Sequence, residues 1–219
     1  MKLILTYTGE LKSRRKDPQP GKPDRLADHI NSIRRAFHSQ LKEHWAHNPF
    51  LSTQTSSPLH YNLDSELFSG REYGSTVPQG QVPWIDLIPE LHKAGNFRFL
   101  PLVRDGWDLQ CELDILFLRK NPPGSLVQAG DIDNRIKTLL DALRTPHSQE
   151  EIGSQLLPEM DEVPFYTLLE DDQLISRLNV DTGRLLETEG SEDKNSWSKL
   201  VVQAKLKPTR STLTNLSFV

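Results

Sequence analysis

Leu26, Ile30, Ile33, Phe37, Leu41 and Trp45 recur at spacings of three and four, the period of a helix with one apolar stripe. They predict a helix from Asp24 to about His47, with Asp24 as its cap. Arg34, Arg35, His38 and Lys42 fall away from much of that stripe. A second pattern has a period of two. Leu109, Cys111, Leu113, Ile115 and Phe117 alternate with Gln110, Glu112, Asp114 and Leu116, which predicts a strand from Trp107 to Lys120, ended by Asn121-Pro122-Pro123-Gly124. Shorter apolar runs predict strands at residues 2–8, 97–103, 173–180 and 197–206, and a helix at about 133–144. Between them lie a Lys-, Arg-, Pro- and Gly-rich loop from Leu11 to Pro23, a Ser/Thr/Pro/Gly-rich stretch over 48–80, and an acidic loop reaching about residue 163. No repeat and no zinc-ligand spacing is present. His44 and His47 lie one helical step apart without further ligands in pattern, and are expected to be surface or packing residues.

The pattern describes an α+β chain, and the length of 219 residues suits one domain, 1–219, with an N-terminal elaboration over 1–107 and a core region over 108–207. A hydrophobic fraction of 36% is enough for a core, and no apolar run approaches the ~18–20 residues of a membrane span. The mean hydropathy of -0.54 fits a soluble protein without a membrane partner. The opening apolar stretch is short for a signal peptide and lacks a small-residue cleavage site. The single cysteine, Cys111, allows no intramolecular disulfide, which suits a reducing cytoplasm, and its place in the alternating run suits a buried small hydrophobe. The net charge is -4, but it is unevenly spread. Residues 1–48 hold ten Lys/Arg against five acids, and residues 149–193 hold thirteen acids against two arginines. Either a basic phosphate-binding face stands beside an acidic metal site, or a solvated acidic surface stands beside a basic loop.

The segment Asp131-Ile132-Asp133-Asn134-Arg135-Ile136-Lys137 carries the most chemistry. In an extended stretch two carboxylates two residues apart point to one side. Asp133 is also placed to cap the helix that follows, where at ~100° per residue Asp133, Lys137 and Asp141 share a neighbourhood beside the buried stripe of Ile136, Leu139, Leu140 and Leu143. A lysine in a helix's first turn opposes the macrodipole, and adjacent carboxylates repel; a divalent cation resolves the second conflict. A capped surface helix, with Lys137 paired to Asp133 and Asp141, is the alternative. Three consecutive acids, Glu170, Asp171 and Asp172, precede a predicted strand, a place from which a third metal ligand is delivered.

Asp131-Ile132-Asp133-Asn134, then Lys137 and Asp141-Ala142-Leu143, then Asp171-Asp172 before a strand, resembles the motif set of the RusA family of Holliday-junction resolvases over roughly residues 108–207. The resemblance implies a mixed β-sheet flanked by helices, a homodimer, and metal-dependent hydrolysis of branched DNA. It implies Mg²⁺ or Mn²⁺ held by Asp131, Asp133 and Asp172, with Lys137 assisting catalysis, and Asn134 and Asp141 in supporting roles. DNA phosphates are expected to be gripped by Lys12, Arg14, Arg15, Lys16, Arg34 and Arg35. A non-catalytic nucleic-acid or protein-binding module on the same fold is one alternative, which the intact set of acids argues against. A nuclease for flaps, forks or phage DNA is another, sharing the same site.

Overall fold

In the computed structural model the elements run, in chain order, β1 (Lys2–Glu10), α1 (Ala27–His47), α2 (Pro49–Thr53), β2 (Thr55–Ser56), β3 (Val82–Pro83), α3 (Trp84–Leu87), β4 (Lys93–Ala94), β5 (Phe97–Val103), β6 (Leu109–Arg119), α4 (Asp131–Leu143), β7 (Phe165–Leu169), β8 (Ile175–Arg184) and β9 (Trp197–Pro208). Residues 1–13, 25–119, 131–186, 197–212 and 214–218 are described, Asp131 in its backbone alone.

The alternation around Leu113 becomes the centre of a four-stranded mixed sheet ordered β1-β9-β6-β8. β9 pairs antiparallel with both β1 and β6, whereas β8 runs parallel to β6 and forms the far edge. Leu109, Cys111, Leu113, Ile115 and Phe117 all point into the core, at 1% exposure or less. A second sheet, β4-β5-β7, joins β5 and β7 in parallel, and β2 with β3 makes a two-stranded ribbon. The mixed sheets and packed helices make this an α+β protein. No helix among the described residues is long and apolar enough to cross a membrane.

α1 carries the predicted stripe: Ile30, Ile33, Phe37, Leu41 and Trp45 are all buried. Its described start is Ala27, with Leu26 at the cap position making no side-chain cap bond; the expected cap, Asp24, lies outside the described residues. The stripe leaves out Arg34 and His38, yet both are buried. The reason is that α1 is packed on two sides, against β1 on one and against α4 and β7 on the other. The stretch over 48–80 is not loop throughout. It holds α2, β2 and two short 3-10 turns, and its Phe68 joins Val82 and Leu87 in a small satellite core. α2 begins at Pro49, with the Asn48 carboxamide oxygen accepting from the Phe50 and Leu51 N–H groups, a side-chain cap with proline in the first helical position.

One difference bears directly on the site. α4 begins at Asp131, so Asp131 and Asp133 do not sit in an extended segment. Residues two apart on a helix diverge by about 200° around its axis, so they cannot share a side by strand geometry.

Candidate functional site

α4 buries Ile136, Leu139, Ala142 and Leu143, which turns Asp133 and Lys137 outward, one turn apart on one exposed face. Thr138, fully buried, satisfies its hydroxyl by donating to the Asn134 carbonyl at 3.2 Å. Between the two outward residues, Arg135 reaches across and donates from Nη1 to the Leu11 carbonyl at 2.7 Å. The opening of α4 is thereby tied to the exit of β1, where the basic segment starts. Lys12 is half exposed there, its Nζ 3.6 Å from Glu10 and its N–H donating to His29. Arg14, Arg15 and Lys16 lie outside the described residues.

Asp141 is already engaged at the other end of α4. Its carboxylate lies 3.3 Å from Arg144, which also meets Glu151 at 2.9 Å. Burial alone would lower the Arg144 pKa, but Glu151, Asp141 and Asp172 reverse this and hold it above its ordinary value. Asp172 is therefore placed within electrostatic reach of the end of α4. Asp133 stands ten residues before that end, about 15 Å along the axis. Among the described residues no group of three His, Cys, Asp or Glu side chains is placed to hold a metal ion, and the Asp131 side chain is not one of them.

All three described cations among those expected to grip DNA, Lys12, Arg34 and Arg35, have partners within the fold. Arg34 is a correction: at 1% exposure, it cannot reach a phosphate. Its Nη2 donates to the Asp141 carbonyl at 2.8 Å, its Nε to the Arg144 carbonyl at 3.4 Å, and its Nη1 to the Asn31 side chain at 3.1 Å. Burial, then Arg144, lowers its pKa to about 10, which leaves it charged at neutral pH. A cation at this place satisfies carbonyls that a helix leaves orphaned in its last turn and meets the negative end of the macrodipole. Arg35 pairs with Glu162 at 2.6 Å and with Glu159 at 3.0 Å, and so is held by the acidic loop, with 37% of its side chain exposed.

The three acids after β7 have separate tasks. The Glu170 N–H donates to the Val103 carbonyl, and its carboxylate accepts from the Asp105 N–H at 3.0 Å. Asp171 accepts from the Gln173 N–H at 2.9 Å, capping the 3-10 turn that leads into β8, and lies 3.4 Å from His147. Asp172 is exposed in that turn. These residues follow the carboxyl ends of the parallel pair β5 and β7, where open parallel sheets leave a crevice. A cavity of about 540 Å³ occupies it, lined among others by His92, Lys93, Asp105, His147, Glu170 and Asp171. Burial, and after it the charge of Arg104, pushes His92 down to about 3. The sequence did not single out His92, His147 or this crevice. Neither histidine has a periodic or motif context, and they converge only through the pairing of β5 with β7 and of Arg144 with Leu169. No protein-family model matches the chain, and comparison with curated proteins and with solved structures finds nothing similar.

Proposed function

We propose that the chain is a metal-dependent endodeoxyribonuclease of the RusA kind, acting on branched DNA as a homodimer. The Arg135–Leu11 hydrogen bond is the observation that carries this reading. It sets the start of the basic segment Lys12–Lys16 beside the helical turn that presents Asp133 and Lys137 to solvent. A phosphodiester held by that segment lies next to a carboxylate and an ammonium group on one face of α4. In this reading Asp131 and Asp133 would hold the metal from the opening of α4, and Asp172, near the other end of that helix, would have to approach them to complete the set; their donors are hard carboxylate oxygens, which suit Mg²⁺ or Mn²⁺. When bound, the metal supplies an activated water and neutralises charge on the phosphate. Lys137 stabilises the negative charge that builds on the phosphoryl oxygens. Lys12, Arg14, Arg15 and Lys16 supply sequence-independent grip. On the helix the carboxylate of Asp133 shares an exposed face with Lys137, four residues on.

The test uses a synthetic four-way junction, linear duplex, flap and single strand with Mg²⁺, Mn²⁺ or EDTA, beside Asp133→Asn. Paired nicks in the junction, lost in EDTA and in the variant, are expected. Cutting of flaps or duplex with the same losses moves the substrate and keeps the site. Cutting that survives Asp133→Asn removes this site from the account.

A further inference from the structure

β8 is an edge strand of ten residues, and among the described residues nothing pairs with its outer side. Long exposed edges are templates for another strand, and folds protect them unless they are used. Leu178 and Val180 sit opposite the buried Leu113 and Ile115 of β6, so they point to the core side of the sheet. Leu178 nevertheless keeps 42% of its surface exposed, because the core layer stops short of this edge. On the other face stand Arg177, Asn179 and Asp181, in register with Glu112, Asp114 and Leu116.

The sequence of this edge, Arg177-Leu178-Asn179-Val180-Asp181, is complementary to its own reverse. Laid antiparallel on a second copy about a two-fold axis at Asn179, it brings Arg177 of each copy directly opposite Asp181 of the other. On the core side, Leu178 meets Val180 in both directions. Side chains directly opposite on an antiparallel pair share a face and lie within contact range, so the charged and the apolar pairs in this register are all favourable. Shifting the register by one residue sets charged against apolar positions, and the match is lost. Among the described residues of its own chain Asp181 meets the Asn179 carboxamide, at 3.5 Å, while Arg177 is held on β6 by Asp114 at 2.8 Å and Glu112 at 3.7 Å, and turns outward on a flexible side chain to meet the second copy's acid.

We infer that two copies of the chain associate through antiparallel pairing of β8, joining their four-stranded sheets into one of eight strands, with Arg177–Asp181 pairs as the register lock. This deepens the dimer implied by the proposed function and does not depend on its chemistry. The isologous geometry follows from a two-fold axis, on which each contact occurs twice.

The experiment measures solution mass by size exclusion with light scattering, across a dilution series. The wild type is expected at twice the 25.0 kDa of the chain. Arg177→Asp and Asp181→Arg each place two like-charged pairs across the axis, and each is expected to weaken self-association by roughly ten- to a hundredfold. Mixed in equal amounts, the two variants set two acids on one edge opposite two arginines on the other, and a dimer reforms. Asp181→Arg breaks one long hydrogen bond among the described residues, so it reports on the interface even if Arg177→Asp folds poorly, which circular dichroism shows. A dimer that ignores both reversals overturns the interface while leaving a two-site nuclease intact. A chain that is monomeric at every concentration overturns the interface and the implied dimer together, and junction cutting by such a monomer leaves the chemistry standing. Two folded variants that each lose self-association yet fail to recombine overturn the register.

Discussion

Arg34→Ala separates a structural arginine from a DNA-binding one. The guanidinium makes three hydrogen bonds, to the carbonyls of Asp141 and Arg144 at the end of α4 and to Asn31 on its own helix. Removing it leaves two main-chain acceptors without that donor, an unmatched helix C-terminus, and a cavity between α1 and α4. Hydrogen bonds from a charged donor contribute about 1.5–3 kcal/mol each, and loss of a helix-end cation costs up to about 1 kcal/mol. Against this stands the relief of a buried charge whose desolvation already lowers its pKa to about 10. Loss of one member of a buried charged network costs about 3–5 kcal/mol, which fits that balance. At roughly 2–4 °C per kcal/mol for a chain of this length, the melting temperature should fall by about 10 °C. Urea unfolding gives the magnitude, with an unchanged slope showing that the same folded state is being measured. DNA affinity, measured at a temperature where both proteins are folded, should be unchanged. A variant as stable as wild type that has lost DNA affinity would refute the reasoning.

Two further predictions concern buried groups. The Nδ1 of His38 accepts from the Tyr166 N–H at 2.9 Å, so its Nε2 donates to the Asp161 carbonyl, and the ring must be neutral. Burial lowers its pKa, with Lys42 adding to this and the Asp161 carbonyl, Glu162 and Asp161 opposing it. A lowered folded-state value gives stability that is full above the unfolded pKa of about 6.5 and is lost as pH falls below it. His38→Asn should be less stable at pH 7.5 and lose less than wild type on going to pH 5; equal losses in thermal melts would rule out this role. Cys111 is fully buried, and burial pushes its thiol up to about 12, so it should resist thiol reagents in the native protein and react at once in urea. Rapid native labelling would contradict this.

The elements most legible in the sequence are those with one buried face. β6 alternates because its sheet has a core side and a solvent side, and α1 shows a stripe because that stripe meets the sheet. What escapes is whatever needs two packed faces or two distant partners. β7, Phe165–Leu169, is buried at every position, so it has no period to detect, and its parallel partner β5 lies more than sixty residues earlier. Arg34 reads as a surface cation because the stripe does not include it; only the arrival of α4 on that side buries it. Asp133 suits a cap, which sets the expected start of α4 two residues late; with the helix beginning at Asp131, the strand-like alignment of Asp131 with Asp133 is lost.

The uneven charge along the sequence has a use inside the fold. The acidic stretch after α4 runs along α1 and meets it repeatedly. The Asp28 carboxylate accepts from the Ser154 N–H and hydroxyl, Asn31 bonds to Gln155, Arg35 pairs with Glu159 and Glu162, and Lys42 donates to the Asp161 carbonyl. Glu162 is itself almost fully buried, with its second oxygen accepting from the Glu159 N–H and from Gln155, and the net of these bonds holds it ionised below the usual carboxylate range despite its burial. Several of the basic and acidic residues that stand out in sequence thus neutralise each other across one helix. The basic segment begins at Lys12, whose N–H donates to His29 at the side of α1, while Arg135 ties the opening turn of α4 to the neighbouring Leu11. The acidic strap fastens α1 along its length, whereas the first residues of the basic segment join β1 to the beginnings of α1 and α4.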